Sequence, residues 1–164
     1  MNDGIFLLLG SNEGRPRANL ADAAQRIEKY AGPILKRSSL YASAAWGLEA
    51  QRDFYNQVLE ISATHAPEIL LQKLLAIEQQ MGRARMQRWG PRLIDIDLLL
   101  YRSDIRDTPS LQLPHPGIAQ RKFTLVPLAE IAGDVIHPVL GKSINTLLAE
   151  CTDELWVRKV SGEG

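Results

Sequence analysis

Short apolar runs alternate with amphipathic segments along most of the chain, and their periods distinguish strands from helices. The run 5–9 is continuously apolar and is stopped by Gly10-Ser11-Asn12, which predicts a buried strand followed by a turn. Segment 16–30 repeats apolar residues at the helical period, begins at a proline and is followed by Gly32-Pro33, which predicts a helix. The same criteria predict, in chain order, strand 5–9, helix 16–30, strand 34–43, strand 54–64, helix 67–81, strand 93–101, helix 123–131, helix 144–151 and strand 155–160.

The order of the first six elements predicts the fold class. Strand, helix, two strands, helix and strand form the split βαβ pattern of ferredoxin-like folds. The remainder is less regular, although 113–116, Leu-Pro-His-Pro, is expected to be extended because a residue before proline avoids the helical region. The chain shows no repeat, low-complexity tract or linker, so we expect residues 1–164 to form one α+β domain.

Composition narrows the classes of function. The 164 residues are 45% apolar and 23% charged, which is typical of a soluble globular protein. Nineteen basic side chains balance nineteen acidic ones, so we expect no general attraction to nucleic acid or membranes. Cys151 has no partner for an internal disulfide, and the apolar run 5–9 is too short for a signal peptide core or a membrane span. We therefore expect a cytoplasmic protein.

Two aspartates interrupt the apolar strand 93–101. Alternation places Asp95 and Asp97 on one face, together with Leu93 and Leu99. The opposite face is expected to carry Ile94, Ile96, Leu98 and Leu100. The alpha carbons of two residues at this spacing lie roughly 6.5 Å apart. Their carboxylates can therefore bind two metal ions about 3.5–4 Å apart. Their hard oxygen ligands favour Mg²⁺, which takes further ligands from water and phosphates. The alternative is a strand with one solvated face.

A cluster of four arginines precedes this strand. The arginines are Arg83, Arg85, Arg88 and Arg92, with Trp89 among them. Guanidinium groups bind phosphate through two parallel hydrogen bonds, and an indole ring can stack on a heterocycle. A basic surface loop is the alternative, but aspartates so close in sequence favour a metal-bound nucleotide polyphosphate. The glycine patterns of a P-loop and of a Rossmann turn are absent from the sequence.

The segment 88–100, RWGPRLIDIDLLL, is similar to the signature of the 6-hydroxymethyl-7,8-dihydropterin pyrophosphokinase family of folate synthesis. Further matching elements run along nearly the whole chain: GSN at 10–12, F-x-N at 54–56, I-E at 77–78, GRAR at 82–85, LPHP at 113–116, and R-x-F with LVPL between 121 and 128. The resemblance implies a three-layer αβα fold on a ferredoxin-like core, with a mainly antiparallel sheet. It also implies transfer of pyrophosphate from ATP to the pterin hydroxymethyl group, with release of AMP.

The resemblance further implies residue roles. Asp95 and Asp97 are expected to hold two Mg²⁺ ions, Arg83 and Arg92 to grip the phosphates, and Arg85 and Arg88 to assist. The positions matching the nucleotide site of the family are Glu78, Trp89, Leu98, Leu111, Gln112, His115 and Arg121. His115 could instead cap a turn, and Glu78 could instead be a solvated surface charge.

The pterin is expected between aromatic rings. Phe54 and Phe123 match the aromatic clamp of the family, with Trp89 nearby, and Asn56 offers an amide donor and acceptor to the pterin edge. Segment 43–46, which contains Ser43, Ala44 and Trp46, matches the main chain that contacts the rest of that edge. The alternatives are that the two phenylalanines belong to the core and that Trp46 is a surface residue.

The sequence departs from the family pattern at Ser43-Ala44-Ala45 and at Pro116. Two other functions remain open on the sequence: a non-catalytic ATP-binding homologue and a ferredoxin-like RNA-binding module.

Overall fold

The computed structural model describes residues 4–44, 53–82 and 93–160. Its strands are β1 (Ile5–Ser11), β2 (Ile34–Arg37), β3 (Tyr41–Ser43), β4 (Phe54–Ile61), β5 (Asp95–Tyr101), β6 (Arg106–Asp107), β7 (Gln112–Leu113) and β8 (Val157–Lys159). Its α-helices are α1 (Pro16–Tyr30), α2 (Pro67–Gln80), α3 (Lys122–Ala132) and α4 (Ile144–Glu150), and a 3-10 turn spans Ile118–Gln120. Apart from the single strand predicted over 34–43, the predicted elements are present, with β4 ending three residues earlier than expected and β5 and β8 starting two residues later.

The main sheet has the strand order β5-β1-β4-β3-β8, with β2 also paired to β4. Every pairing between the described strands is antiparallel. Because β2 and β3 run in succession along the same edge of β4, the first five strands have the order of a ferredoxin-like βαββαβ unit. The predicted core topology is confirmed, and β8 extends the sheet beyond it.

The single strand predicted over 34–43 is wrong, because two strands occupy this stretch. The break falls at Ser38, whose main-chain N–H donates to the Val58 carbonyl at 2.9 Å. In return, the Val58 N–H donates to the Ser38 hydroxyl at 2.9 Å. Gln57 Nε2 donates to the Ser38 carbonyl, also at 2.9 Å. Side-chain groups thus replace the main-chain ladder, and the pairing register shifts between β2 and β3.

Helices cover both faces of the sheet, which confirms the three-layer αβα arrangement. Residues of β1 alternate between the two layers: Ile5, Leu7 and Leu9 pack in one core, and Phe6 and Leu8 pack in the other. The first core is completed by side chains of α1 and α2, including Leu20, Ala23, Ala24, Ile27, Leu70, Leu74 and Ile77. The second is completed by side chains of α3 and α4, including Leu125, Leu128, Ala132, Ile144 and Leu147.

The alternation expected along β5 fails near its centre. Phe6 pairs with Leu100 but Leu7 pairs with Leu98, so an irregularity in the register leaves Leu99 as an extra residue. In consequence Leu98 packs in the first core, and both Leu99 and Leu100 pack in the second. The prediction that Leu100 shares a face with Leu98 is wrong, because the extra residue reverses the facing of the strand after Leu99.

The described helices do not include a membrane span. Among residues 4–44, 53–82 and 93–160, no helix combines the length and the apolar character that crossing a bilayer needs.

Candidate active site

The register of the sheet assembles polar side chains in one row at the end of β1. Gly10 pairs with Asp95 on one side and with Asn56 on the other, and Leu8 pairs with Asp97. Directly opposed residues share a face of an antiparallel sheet. Since Leu8 belongs to the core beneath α3 and α4, both aspartates and Asn56 lie on that same face, just beyond the apolar layer.

Gly10 allows the middle of this row to pack closely. A β-carbon at this position would lie 2.9 Å from Asn56 Oδ1 and 3.9 Å from the Phe54 ring. The amide of Asn56 therefore rests directly over the main chain of β1, with Phe54 beside it. Asn56 is only 3% exposed, and its Nδ2 donates to the Ser43 hydroxyl at 3.1 Å. The chain thus buries a fixed amide between β1 and β3, where its orientation is set before any ligand binds.

Asp95 and Asp97 are both half-buried on this face. Within the described part of the chain, no group of three or more His, Cys, Asp or Glu side chains converges in the manner of a protein-only metal site. Two carboxylates with further ligands from water and substrate phosphates form a donor set that suits Mg²⁺. The residues present therefore fit the expected cation.

Glu78 approaches the aspartate strand from α2. Its side chain is 5% exposed, and its Oε2 accepts a hydrogen bond of 2.7 Å from the main-chain N–H of Ile96. Ile96 stands between the two aspartates on β5, which is the outermost of the described strands on this side of the sheet. The alternative of a solvated surface charge is wrong for Glu78. The carboxylate instead satisfies an edge N–H at the base of the aspartate pair.

His115 lies against the irregular part of β5. Its main-chain N–H donates to the Leu99 carbonyl at 2.9 Å, and its Nδ1 accepts from the Gly117 N–H at 3.0 Å. The turn-capping contact is therefore present. Burial, followed by the positive charge of Arg121, lowers the pKa of His115 to about 4. At neutral pH the ring is uncharged, and with Nδ1 accepting, its proton resides on Nε2.

Arg121 and Phe123 flank the first residue of α3. The Arg121 guanidinium carbon lies 5.8 Å from the centre of the Phe123 ring. A β-carbon on Gly117 would lie 2.8 Å from Arg121 Nε, so the glycine allows this side chain to lie across the turn. Phe123 is half-buried against the core beneath α3 and α4. The ring therefore borders the same layer as the aspartate row.

Other expected site residues have different surroundings. The side chains of Leu98 and Leu111 are buried in the core beneath α1 and α2, so they point away from the aspartate face. Gln112 is exposed and Ala44 is half-buried. Six expected site residues lie outside the described residues: Trp46, Arg83, Arg85, Arg88, Trp89 and Arg92.

Asn19 supports the site, although the sequence patterns did not predict this role. Its Nδ2 lies 2.8 Å from the Glu13 carbonyl, 3.1 Å from the Ser11 hydroxyl and 3.3 Å from the Leu93 carbonyl. One amide on α1 thus connects the turn after β1 with the residue that leads into β5. A polar residue on a helix gives no sequence signal for these contacts, because they form only when the turn after β1 and the residue before β5 pack against α1.

Fold and site together define an α+β protein in which a ferredoxin-like sheet carries paired carboxylates suited to cation-bound phosphates. A model of the family described as 7,8-dihydro-6-hydroxymethylpterin-pyrophosphokinase matches residues 6–133. The chain belongs to this family, and it is therefore an enzyme, an ATP-dependent diphosphotransferase.

Individual relatives agree with this assignment. The chain is 39% identical to the 2-amino-4-hydroxy-6-hydroxymethyldihydropteridine pyrophosphokinase of Aquifex aeolicus, over 90% of this chain and 92% of that protein. The enzyme of the same name from Synechocystis is 41% identical, over 91% of this chain and 77% of that protein. The folic acid synthesis protein fol1 of Pneumocystis carinii is 37% identical, and the match covers 93% of this chain but only 20% of fol1.

Solved structures support the fold. Wild-type HPPK-DHPS of Plasmodium falciparum, crystallised with pteroate, superposes with a TM-score of 0.71 at 17% identity. The superposition covers 91% of this chain and 42% of that longer chain.

Proposed function

We propose that the pyrophosphoryl group of ATP is transferred to 6-hydroxymethyl-7,8-dihydropterin at the polar row formed by β1, β4 and β5. The observation that supports this proposal is the shared face of Asp95, Asp97 and Asn56, which brings two carboxylates and an amide within one row of the sheet. The hydroxyl oxygen of the pterin bonds to the β-phosphorus while the bond from that phosphorus to the α-phosphate oxygen breaks. AMP leaves with the electron pair, and the hydroxyl proton passes to water.

Asp95 and Asp97 would hold two Mg²⁺ ions on the triphosphate. When bound there, the ions would supply neutralisation of the phosphate charge that builds up during the transfer. The chain's own contribution is to fix the two carboxylates, since β5 is paired to β1 on one edge and is bonded to Glu78 on the other. This support keeps the donor oxygens in place before the nucleotide arrives.

The nucleotide is proposed to extend from the aspartates toward His115 and Arg121. His115 Nε2 is positioned as a neutral hydrogen-bond donor, and Arg121 carries a permanent positive charge beside it. Arg83 and Arg92, with help from Arg85 and Arg88, are proposed to bind the phosphates and to stabilise charge in the transition state. Leu98 and Leu111 would contact the nucleotide only through their main chains, because their side chains are buried in the opposite core. Gln112 could also contact it through its exposed side chain.

The pterin is proposed to lie against Asn56, between the rings of Phe54 and Phe123. Asn56 offers the donor and acceptor pattern of an amide, and its bond to Ser43 restricts its rotation. Trp46 and Trp89 are proposed to complete the pocket, together with main-chain groups of Ser43 and Ala44. Alignment of the hydroxyl with the β-phosphorus, rather than a protein base, would then supply most of the acceleration.

We also propose that residues 1–164 act as one domain, as a cytoplasmic monomer, on small molecules rather than nucleic acid or membranes. The balanced charge of the chain supports the part of this proposal that concerns nucleic acid and membranes. Light scattering after size exclusion gives the mass directly, and a value of twice 18.3 kDa would contradict a monomer.

The reaction is tested by measuring AMP. The purified protein should form AMP from ATP only when both 6-hydroxymethyl-7,8-dihydropterin and Mg²⁺ are present. Asp97→Asn should remain folded but lose at least about a thousandfold of turnover, because the loss of one metal carboxylate acts mainly in the transition state. Asp107→Asn is the matched control, since it removes an exposed carboxylate from β6 and should leave the rate unchanged. Formation of ADP, or binding of ATP without AMP, would refute the proposal.

A further inference from the structure

The segment after α4 contacts two parts of the site, although it lies beyond the residues that match the family model. Its strand β8 pairs with β3, with Tyr41 opposite Lys159 and Ser43 opposite Val157. The Val160 N–H also donates to the Leu40 carbonyl at 2.9 Å. The edge of β3 that leads to Ser43 is therefore covered by this segment.

The same segment binds the start of α3 through Asp153. Its Oδ2 accepts from the main-chain N–H of Lys122 at 2.9 Å, and its Oδ1 accepts from the N–H of Leu155 at 3.0 Å. Lys122 is the first residue of α3, where main-chain N–H groups have no partner within the helix. The preceding residue, Arg121, makes no side-chain capping bond. A carboxylate 31 residues further along the chain thus replaces the usual local cap.

The two residues next to Lys122 are the ones proposed to bind the substrates: Arg121 the nucleotide and Phe123 the pterin. Arg121 precedes it and Phe123 follows it, so the position of the Lys122 main chain determines where both side chains begin. The other half of the segment fixes β3, whose Ser43 holds the Asn56 amide. One short segment therefore connects the helix that carries Phe123 with the strand that supports Asn56.

We propose that Asp153 is a positioning residue for the pterin and nucleotide sites, acting through the main chain at the start of α3. This inference rests on the proposed function of Arg121 and Phe123. Asp153 does not contact substrate in this scheme; it fixes the separation between the Phe123 ring and the Asn56 side of the pocket.

Steady-state kinetics on Asp153→Ala, Asp153→Asn and the control Glu154→Gln test the inference. Glu154 is the exposed neighbour, so the control removes the same charge without touching α3. In Asp153→Ala the KM for the pterin should rise about fivefold. This change corresponds to about 1 kcal/mol, which is the typical cost of removing a helix cap. Asp153→Asn keeps one acceptor oxygen and should show a smaller rise. Glu154→Gln should match the wild type.

A purely structural role gives a different result. It would lower the melting temperature and the active fraction, so the apparent kcat would fall while both KM values stayed constant. That result in Asp153→Ala, or in Asp153→Asn if the alanine variant does not fold, would overturn the inference. If the wild type forms no AMP, the proposed reaction is wrong. The inference is then tested by itself, by measuring the affinity for 6-hydroxymethylpterin from the change in the pterin's fluorescence on binding. Equal affinities of wild type and Asp153→Asn would then refute it.

Discussion

At the residue scale, His115 combines a structural contact with a fixed protonation state. Its Nδ1 accepts from Gly117, so this nitrogen is not available for a proton without loss of that bond. Burial and the nearby Arg121 guanidinium both disfavour the imidazolium ion and lower the pKa to about 4. The ring can therefore donate through Nε2 to an anionic ligand at neutral pH, while the positive charge is supplied by Arg121.

We predict that the His115 ring signals stay constant from pH 8 to about pH 5.5 and titrate near pH 4. Because the folded pKa lies below the unfolded value of 6.5, His115 contributes stability that is complete above pH 6.5. That stability is lost as the pH falls from 6.5 toward 4. Heteronuclear NMR of the imidazole follows the titration, and urea unfolding of His115→Gln should show a smaller loss over the same range. A midpoint near 6.5 would contradict the buried neutral ring.

At the scale of elements, β5 carries two carboxylates as the outermost strand on its side of the sheet within the part of the chain that the structure describes. Glu78 supports this strand by accepting from the Ile96 N–H, and α2 places the carboxylate there because Ile77 beside it is buried in the core. An element of the opposite layer thus stabilises the main chain between Asp95 and Asp97.

We predict that Glu78→Ala raises the Mg²⁺ concentration needed for half-maximal AMP formation by about tenfold. The variant leaves the buried Ile96 N–H without this acceptor, which typically costs about 1–3 kcal/mol and allows the strand to move. Glu78→Gln retains an amide oxygen that can accept this bond and should recover most of the effect. Glu68→Gln, at the exposed start of the same helix, is the control. An unchanged Mg²⁺ requirement in the alanine variant would show that β5 is fixed without Glu78.

The elements differ in how far they could be predicted from sequence. The start of α1 at Pro16 and of α2 at Pro67 follows from local rules, because proline suits the first turn of a helix. The interruption at Ser38 and the extra residue at Leu99 depend on hydrogen bonds to neighbouring strands. A period along one strand carries no information about such partners, so the pattern predicted uninterrupted strands in both places.

The site shows the same division. Alternation correctly placed Asp95 and Asp97 on one face, and the family resemblance named their expected ligand. The supports from Glu78, Asn19 and Asp153 reach main-chain groups 18, 74 and 31 residues away. Their geometry exists only once the layers have packed, because each acceptor or donor belongs to a different element. Alternation therefore predicted which face carries the two carboxylates, but it did not predict the contacts that hold their strand.

At the scale of the whole molecule, one sheet is shared by two helical layers with different tasks. The layer of α1 and α2 supports β5 through Glu78, whereas the layer of α3 and α4 carries Phe123 on the face of the sheet that holds the polar row. Each strand of the centre contributes residues to both cores, as β1 does with Leu7 and Leu8. Unfolding of either helical layer would expose the apolar face of the sheet that this layer covers, and the same strands support the other layer on their second face. We therefore expect the two cores to unfold together.

We predict that Leu70→Ala in α2 and Leu128→Ala in α3 destabilise the protein by similar amounts, about 2–5 kcal/mol each. The two side chains are of the same type, both are 0% exposed, and they lie in opposite cores. In each variant, urea unfolding followed by helical circular dichroism and by tryptophan fluorescence should give one coincident transition, because both layers depend on the same sheet. Separate midpoints for the two probes in either variant would show that one helical layer can unfold while the other remains. At temperatures well below the transition, the KM values of the Leu70→Ala variant should remain those of the wild type, since Leu70 packs beneath the face opposite the polar row.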